Sequence, residues 1–171
     1  TEKTWKSLLD GDCGINTIES FDTSDQSVHI AGEVRDFNPE DYIQKKELKK
    51  LGRFSQFAIA ASKMALDDAK LDINESNATR VGVIIGSGIG ALEVIETEIG
   101  KMIEKGPKRI SPFYIPAVIT NMASGNVSIY TGAKGPNKAI VTACASGTHS
   151  IGDAFQTILL GKADAIIAGG S

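Results

Sequence analysis

Three short apolar segments that alternate with helical patterns place the strongest limit on the fold of this chain. They cover residues 80–86, 136–143 and 163–168. The first carries Val81, Val83, Ile84 and Ile85, the composition of a strand buried on both faces of a parallel sheet. Because parallel strands joined by helices need right-handed crossovers, the alternation predicts an α/β fold with a largely parallel sheet.

Helical periodicity and end signals predict the remaining elements. Asn38 followed by Pro39 and two acids is typical of a helix start, and glycines mark the ends of several helices. The strongest periodic pattern places small and aromatic residues on one face of residues 54–71. The predicted helices cover residues 5–9, 38–51, 54–71, 91–103, 117–130 and 145–160, with a short strand at 28–34.

Composition excludes several classes of protein. With 171 residues, 42% hydrophobic and 23% charged, the chain is one domain or one lobe of a larger protein. A net charge of −3 argues against a general nucleic-acid binder, and no apolar run approaches the ~20 residues that span a bilayer. Cys13 and Cys144 lack metal-ligand spacing. We expect a cytoplasmic protein with no metal and no membrane segment.

The segment from Ala139 to Thr148 places Cys144 where a strand gives way to a helix. Backbone N–H groups at a helix start are unpaired and stabilise a thiolate over a thiol. The neighbouring small residues Ala143, Ala145, Ser146 and Gly147 leave room for a substrate. Cys144 is therefore a candidate nucleophile, with burial as a small hydrophobic residue as the alternative.

The two histidines, His29 and His149, supply no evident base for Cys144. His149 follows Cys144 by five residues, which on a helix places it roughly 140° around the axis and ~7.5 Å further along. We expect His149 to pack or to hydrogen-bond to a neighbouring element. His29 lies in the short predicted strand near the start of the chain and is uninformative.

Residues 86–91 fit the loose dinucleotide-binding pattern G-x-G-x-x-A between a strand and a helix. Two features disfavour that interpretation. No strand ending in an acid follows about 20 residues on, and Glu93 would repel a pyrophosphate. The alternatives are a tight strand-to-helix turn, or a turn packed against an active site with Ile89 facing a substrate tunnel.

Positive charge is concentrated at the end of the predicted helix 38–51. Such cations complement a helix dipole, but one or two would suffice, and the surplus on an acidic protein favours docking of an acidic partner. The candidate docking residues are Lys45, Lys46, Lys49 and Lys50, with Arg53 beside them and Lys108 and Arg109 extending the surface.

Six segments, read together, form a specific signature. They are residues 135–149 (GPNKAIVTACASGTH), 161–164 (GKAD), 168–170 (AGG), 86–90 (GSGIG), 110–113 (ISPF) and 121–122 (NM). This signature closely resembles that of the β-ketoacyl–acyl-carrier-protein synthases, best the elongating type of fatty-acid synthesis. The resemblance implies a thiolase-like layered fold with helices on both faces of a mixed, largely parallel sheet. It also implies a homodimer and no cofactor.

The resemblance further implies a mechanism and roles for several residues. Cys144 would take an acyl chain from acyl-carrier-protein as a thioester. Malonyl-carrier-protein would then lose carbon dioxide, and its carbanion would attack that thioester. Ile89 and Tyr114 resemble acyl-tunnel residues, and Lys45, Lys46, Lys49, Lys50, Lys108 and Arg109 resemble the carrier-protein docking surface.

The chain also departs from that family. The two catalytic histidines, the lysine and the second oxyanion-hole donor belong to a C-terminal half, and the first strand precedes Thr1. We therefore expect residues 1–171 to form a single partial domain, inactive in condensation by itself, with an uncovered sheet edge or apolar face. The alternatives are a polyketide-type or coenzyme-A-using thiolase-like enzyme, a nucleotide-binding module, and an inactive scaffold partner, which the presence of Cys144 disfavours.

Overall fold

The computed structural model describes residues 2–171 and divides the chain into two compact units, separated after Asn38. In the first unit, helix α1 (Glu2–Asp10) confirms the predicted helix and ends beside Gly11, which has a φ of 73°. A short antiparallel ladder joins β1 (Asn16–Thr17) to β2 (Ile30–Ala31). The strand predicted over 28–34 is therefore reduced to two residues.

The side chain of Glu33 organises the loops of this first unit. Its carboxylate accepts the backbone N–H of Glu19 at 3.0 Å and of Ser20 at 3.1 Å, and it pairs with Arg35 at 2.9 Å. Hydrogen bonding by Ser20, then by Glu19 and Arg35, lowers the pKa of Glu33 to about 2. The ionised carboxylate is therefore the form that this fold stabilises.

The second unit, from Pro39 to Ser171, holds a three-stranded parallel sheet and six helices among the described residues. The strand order is β4-β3-β5, with Val81 opposite Ala165 and Val83 opposite Asn137. In chain order its elements are α2 (Lys45–Leu48), α3 (Arg53–Ala69), β3 (Val81–Gly86), α4 (Leu92–Lys105), α5 (Tyr114–Val118), α6 (Met122–Thr131), β4 (Asn137–Lys138), α7 (Ser146–Leu159) and β5 (Ala165–Gly170), with single 3₁₀ turns at Pro39–Asp41, Ala78–Arg80, Pro107–Arg109 and Ala143–Ala145.

The core lies on both faces of the central strand β3, every residue of which is buried. Because side chains alternate along a strand, Val81, Val83 and Ile85 share one face, where they belong to the core cluster with residues of α3 and α6. The opposite face, with Ile84, packs on α7. This arrangement confirms the predicted α/β class, the parallel sheet and the helices on both faces.

Three predicted elements are shorter or broken in the structure. The predicted helix 38–51 is interrupted at Gln44, whose backbone is extended with a ψ of 133°. The predicted helix 117–130 breaks at Ile119, which has a ψ of 136°. The predicted strand 136–143 pairs with β3 only at Asn137 and Lys138, because the following residues turn inward toward the end of β3.

A salt bridge joins the two chain segments at the start of the β3–β5 ladder. The Arg80 guanidinium holds the Asp164 carboxylate at 2.5 and 3.1 Å and donates to the Gly161 carbonyl at 3.0 Å. The Asp164 N–H in turn donates to the Arg80 carbonyl at 2.8 Å. The outer edge of β5 borders an apolar groove of about 270 Å³, shared with the C-terminal half of α3.

Candidate active site

Cys144 occupies a 3₁₀ turn, Ala143–Ala145, that leads directly into α7. Its thiol is free and exposed, which rules out the alternative of a buried small hydrophobic residue. The preceding Ala143 has a φ of 51°, in the left-handed region, where a residue with a Cβ is disfavoured by roughly 1–2 kcal/mol. Such strain persists only where neighbouring contacts hold the backbone in place.

Ser146 provides two of those contacts. Its hydroxyl donates to the Ala143 carbonyl at 2.7 Å and accepts the Thr142 N–H at 2.9 Å, so it bridges the chain on both sides of the turn. The residue is 4% exposed, and Ser150 donates to its carbonyl at 2.8 Å. From the sequence we expected Ser146 only to leave room for substrate. Its place at a helix start, where serine commonly caps backbone groups, is the signal that could have shown this bond.

His149 hydrogen-bonds to the segment before the turn and not to Cys144. Its Nδ1 lies 2.8 Å from the Thr142 Oγ1. Within residues 2–171 no hydrogen bond joins His149 to Cys144. This geometry confirms the prediction that His149 hydrogen-bonds to a neighbouring element.

Close backbone approach fixes the turn against the sheet. A Cβ on Gly86 would lie 2.6 Å from the Ser146 carbonyl oxygen and 2.8 Å from that of Ile140. At the end of β5, a Cβ on Gly170 would lie 2.9 Å from the Gly147 Cα. Glycine is therefore required where β3 and β5 meet the turn at Ala143–Ala145, the Cys144 turn.

The glycine-rich turn after β3 lies against the cysteine segment. A Cβ on Gly88 would come within 3.8 Å of Ala143, while Gly86 already faces protein backbone. The space that a dinucleotide pyrophosphate needs at such a glycine is filled by the chain itself. Glu93, in the first turn of α4, accepts the Arg53 N–H at 3.2 Å. The structure thus favours the turn packed on the active site over the nucleotide interpretation.

The two candidate tunnel residues have different surroundings. Ile89 lies on the glycine turn and is 67% exposed. Tyr114 begins α5 and is partly buried against the core cluster of the second unit. Ile89 is therefore the more accessible of the two to a substrate.

The candidate docking residues divide into engaged and free groups. Lys45 pairs with Glu40 at 3.3 Å. Lys50 pairs with Glu47 at 2.9 Å, and its Nζ lies 5.4 Å from the centre of the Phe113 ring. The hydrogen bond from Lys50 lowers the pKa of the Glu47 carboxyl. Of the six candidate docking residues, Lys46, Lys49, Lys108 and Arg109 are exposed and have no side-chain hydrogen bond or ion pair within residues 2–171.

Glu98 on α4 is a buried carboxylate that the sequence did not single out. It is 5% exposed, and its carboxylate accepts the Ser111 N–H at 2.6 Å and the Lys101 ammonium at 2.6 Å. The Lys101 bond, followed by the Ser111 N–H, lowers the pKa of Glu98. An acid three residues before a lysine on a helix is usually an exposed pair, so no sequence signal marks its burial.

The part of the chain that the structure describes contains no group of three or more histidine, cysteine or acidic side chains placed to hold a metal ion. Over the same residues, no helix combines the length and apolarity that crossing a membrane demands.

Comparison with known proteins identifies the family. The model of the beta-ketoacyl synthase N-terminal domain matches residues 1–171, so this chain belongs to the beta-ketoacyl synthase family. It is 54% identical over 168 residues to 3-oxoacyl-[acyl-carrier-protein] synthase 2 of Staphylococcus aureus, covering 98% of this chain and 42% of that protein. The synthase 2 of Vibrio cholerae is 52% identical over 170 residues, covering 99% and 41%. The chain thus spans about two fifths of the length of these relatives.

Solved ketosynthases share the fold. The ishigamide ketosynthase/chain length factor superposes with a TM-score of 0.90 at 27% identity, covering 99% of this chain and 43% of that one. A ketosynthase structure determined with its type II PKS acyl-carrier protein superposes with a TM-score of 0.77 at 29% identity, covering 81% and 40%. These likenesses confirm the predicted thiolase-like fold.

Proposed function

We propose that this chain is the acyl-accepting part of a condensing enzyme of fatty-acid synthesis. The observation that carries the proposal is the exposed Cys144 on a strained turn at the start of α7. The Cys144 thiol would lose its proton and attack the carbonyl carbon of an acyl thioester. The bond from that carbon to the carrier sulfur would break, and the carrier would leave as a thiol with the proton that Cys144 lost, which makes a new thioester on Cys144. A second, malonyl-loaded carrier would lose carbon dioxide, and its carbanion would displace Cys144 and lengthen the chain by two carbons.

The backbone around Cys144 suits this chemistry. Ala145 and Ser146 use their N–H groups inside the turn, bonding the carbonyls of Thr142 and Ala143. The N–H of Cys144 makes no hydrogen bond within residues 2–171. It is therefore free to donate to the thioester oxygen as negative charge develops there. General acid and base groups would come from the C-terminal half of the whole protein.

The proposed partner is acyl-carrier-protein, an acidic protein that would dock on the exposed Lys46, Lys49, Lys108 and Arg109. Lys45 and Lys50 would contribute less, because each already has an acidic partner. Support comes from the name of the relatives and from the neighbour solved with a carrier protein. Ile89 would line the acyl tunnel, whereas Tyr114 would shape it from the core. The proposal extends to a cytoplasmic homodimer.

A polyketide-type substrate is the second candidate. It is favoured by the structural neighbours, which include a type II PKS ketosynthase bound to a hexaketide. Those neighbours are 27–29% identical to this chain, whereas the synthase 2 proteins are 52–54% identical. The fatty-acid reaction is therefore the better supported of the two.

Acylation of Cys144 tests the proposal directly. The natural protein is incubated with acyl-carrier-protein or acyl-coenzyme A, and the cysteine peptides are weighed by mass spectrometry. We expect an acyl adduct on Cys144 that Cys144→Ala abolishes and Cys13→Ser preserves, since both cysteines are exposed. An unmodified Cys144 would contradict the proposal, and faster transfer from coenzyme A would reassign the donor. Residues 1–171 alone should form no β-ketoacyl product.

A further inference from the structure

Glu98 is the only charged residue among those described that is buried, at 5% exposure. A carboxylate removed from water is destabilising unless charge and hydrogen bonds replace its hydration. Lys101 supplies the charge from the next turn of α4 at 2.6 Å. The second contact, to Ser111, leaves the helix and reaches the loop between α4 and α5. That long-range bond is what an ordinary surface pair on a helix lacks.

The bond to Ser111 fixes the end of this loop. Ser111 Oγ accepts the Phe113 N–H at 3.1 Å, and the Ser111 carbonyl accepts the Tyr114 N–H at 3.0 Å. Anchoring Ser111 therefore anchors the start of α5. From the opposite direction, the Lys50 ammonium lies over the Phe113 ring.

The segment held in this way carries two of the free cations. Lys108 and Arg109 lie in the 3₁₀ turn Pro107–Arg109, directly before Ile110 and Ser111. We infer that Glu98 is a positioning residue that latches this turn, so that Lys108 and Arg109 are presented to an acidic carrier protein. The inference rests on the proposed function. Its physical basis is that a preorganised surface avoids the entropy lost when a loop becomes ordered on binding.

If charge alone mattered, removing Glu98 would change carrier-protein binding in the opposite direction, so the binding experiment can decide the inference. Removing a carboxylate near a basic surface strengthens its attraction for an acidic partner. Releasing the loop weakens binding. Glu104, on the same helix, is exposed and has no hydrogen bond or ion pair within residues 2–171, so Glu104→Gln measures the charge effect by itself.

The experiment compares Glu98→Ala, Glu98→Gln and Glu104→Gln in the natural protein. Binding of acyl-carrier-protein is titrated, and the KM and kcat for acyl transfer are measured with acyl-carrier-protein and with a small acyl thioester that needs no docking. We expect Glu98→Ala to raise Kd and KM for the carrier protein by about 3- to 10-fold, with a clearly smaller loss of transfer from the small thioester. Glu98→Gln, which keeps an acceptor oxygen, should show a smaller rise, and Glu104→Gln none or a decrease.

Tighter or unchanged carrier binding in both Glu98 variants would overturn the inference, as would equal losses with both acyl donors. If Glu98→Ala does not fold, Glu98→Gln decides. Failure of the proposed function is separately visible, because the unmodified protein would then acylate Cys144 from neither donor. The binding titration still tests the latch in that case.

Discussion

Substituting Gly86 tests whether the end of β3 supports the Cys144 turn. A methyl group at this position would lie 2.6–2.8 Å from the carbonyl oxygens of Ser146 and Ile140 and from the Ser146 carbonyl carbon. All three atoms are backbone, so no flexible side chain can move aside. Overpacking of this kind destabilises by about 1–3 kcal/mol, while the loss of glycine entropy in the unfolded chain restores about 0.4–1 kcal/mol. We expect Gly86→Ala to lower the free energy of unfolding by about 1–2 kcal/mol.

The assay combines stability with reactivity. Denaturant unfolding followed by circular dichroism gives the free energy, and alkylation by iodoacetamide in a Cys13→Ser background reports the Cys144 turn. Gly152→Ala is the matched control, because it lies in α7 and a Cβ there meets nothing within 4 Å. The control should stabilise by about 0.5–1 kcal/mol and leave alkylation unchanged. A Gly86→Ala protein as stable as the control, and alkylated at the parent rate, would refute the packing argument.

Two further predictions concern hydrogen-bonded polar groups. Ser146→Ala removes both hydrogen bonds that bridge the Cys144 turn. It should lower the free energy of unfolding by about 1–3 kcal/mol in the same assay and alter the rate of Cys144 alkylation. Unchanged stability and alkylation would mean that these two bonds are not needed to hold the turn. For Glu33, whose folded pKa is lowered from 4.5 to about 2, the stabilising effect is complete above pH 4.5 and is lost as pH falls through that range. Glu33→Gln should therefore flatten the acid-side loss of stability in the first unit, and a parent-like pH profile would contradict the assignment.

The regular elements were predictable where a local pattern dominates. The apolar run gave β3 within one residue, and the periodic face gave α3 within two. The break at Ile119 was missed, although the β-branched Val118, Ile119 and Thr120 and the capping residue Asn121 are signals for it. At the break, the Val118 carbonyl accepts the Ala91 N–H from a distant turn, a tertiary contact that the local pattern does not reveal.

The same distinction applies to the candidate site. Cys144 was identifiable because an apolar segment, a cysteine and a helix start follow one another along the chain. The Ser146 hydrogen bonds across the turn and the Glu98 bond to Ser111 were not predictable, because they depend on which groups the fold brings together. Lys50 was predicted as a docking residue, but its ammonium is engaged by Glu47 and the Phe113 ring. Charge counting along the sequence does not reveal which cations already have partners.

The pairing of β3 with β5 also determines when this protein can fold. Arg80 and Asp164, which fasten the ladder, are 84 residues apart in sequence. At ribosomal rates, roughly 4–17 s separate the synthesis of these two residues. During that interval the uncharged strand β3 has emerged without β5, the strand that pairs with it along its full length. Contacts this distant also slow folding, because loop closure must precede any gain from pairing. We expect nascent chains that end between β3 and β5 to depend on chaperones more than chains that include Gly170.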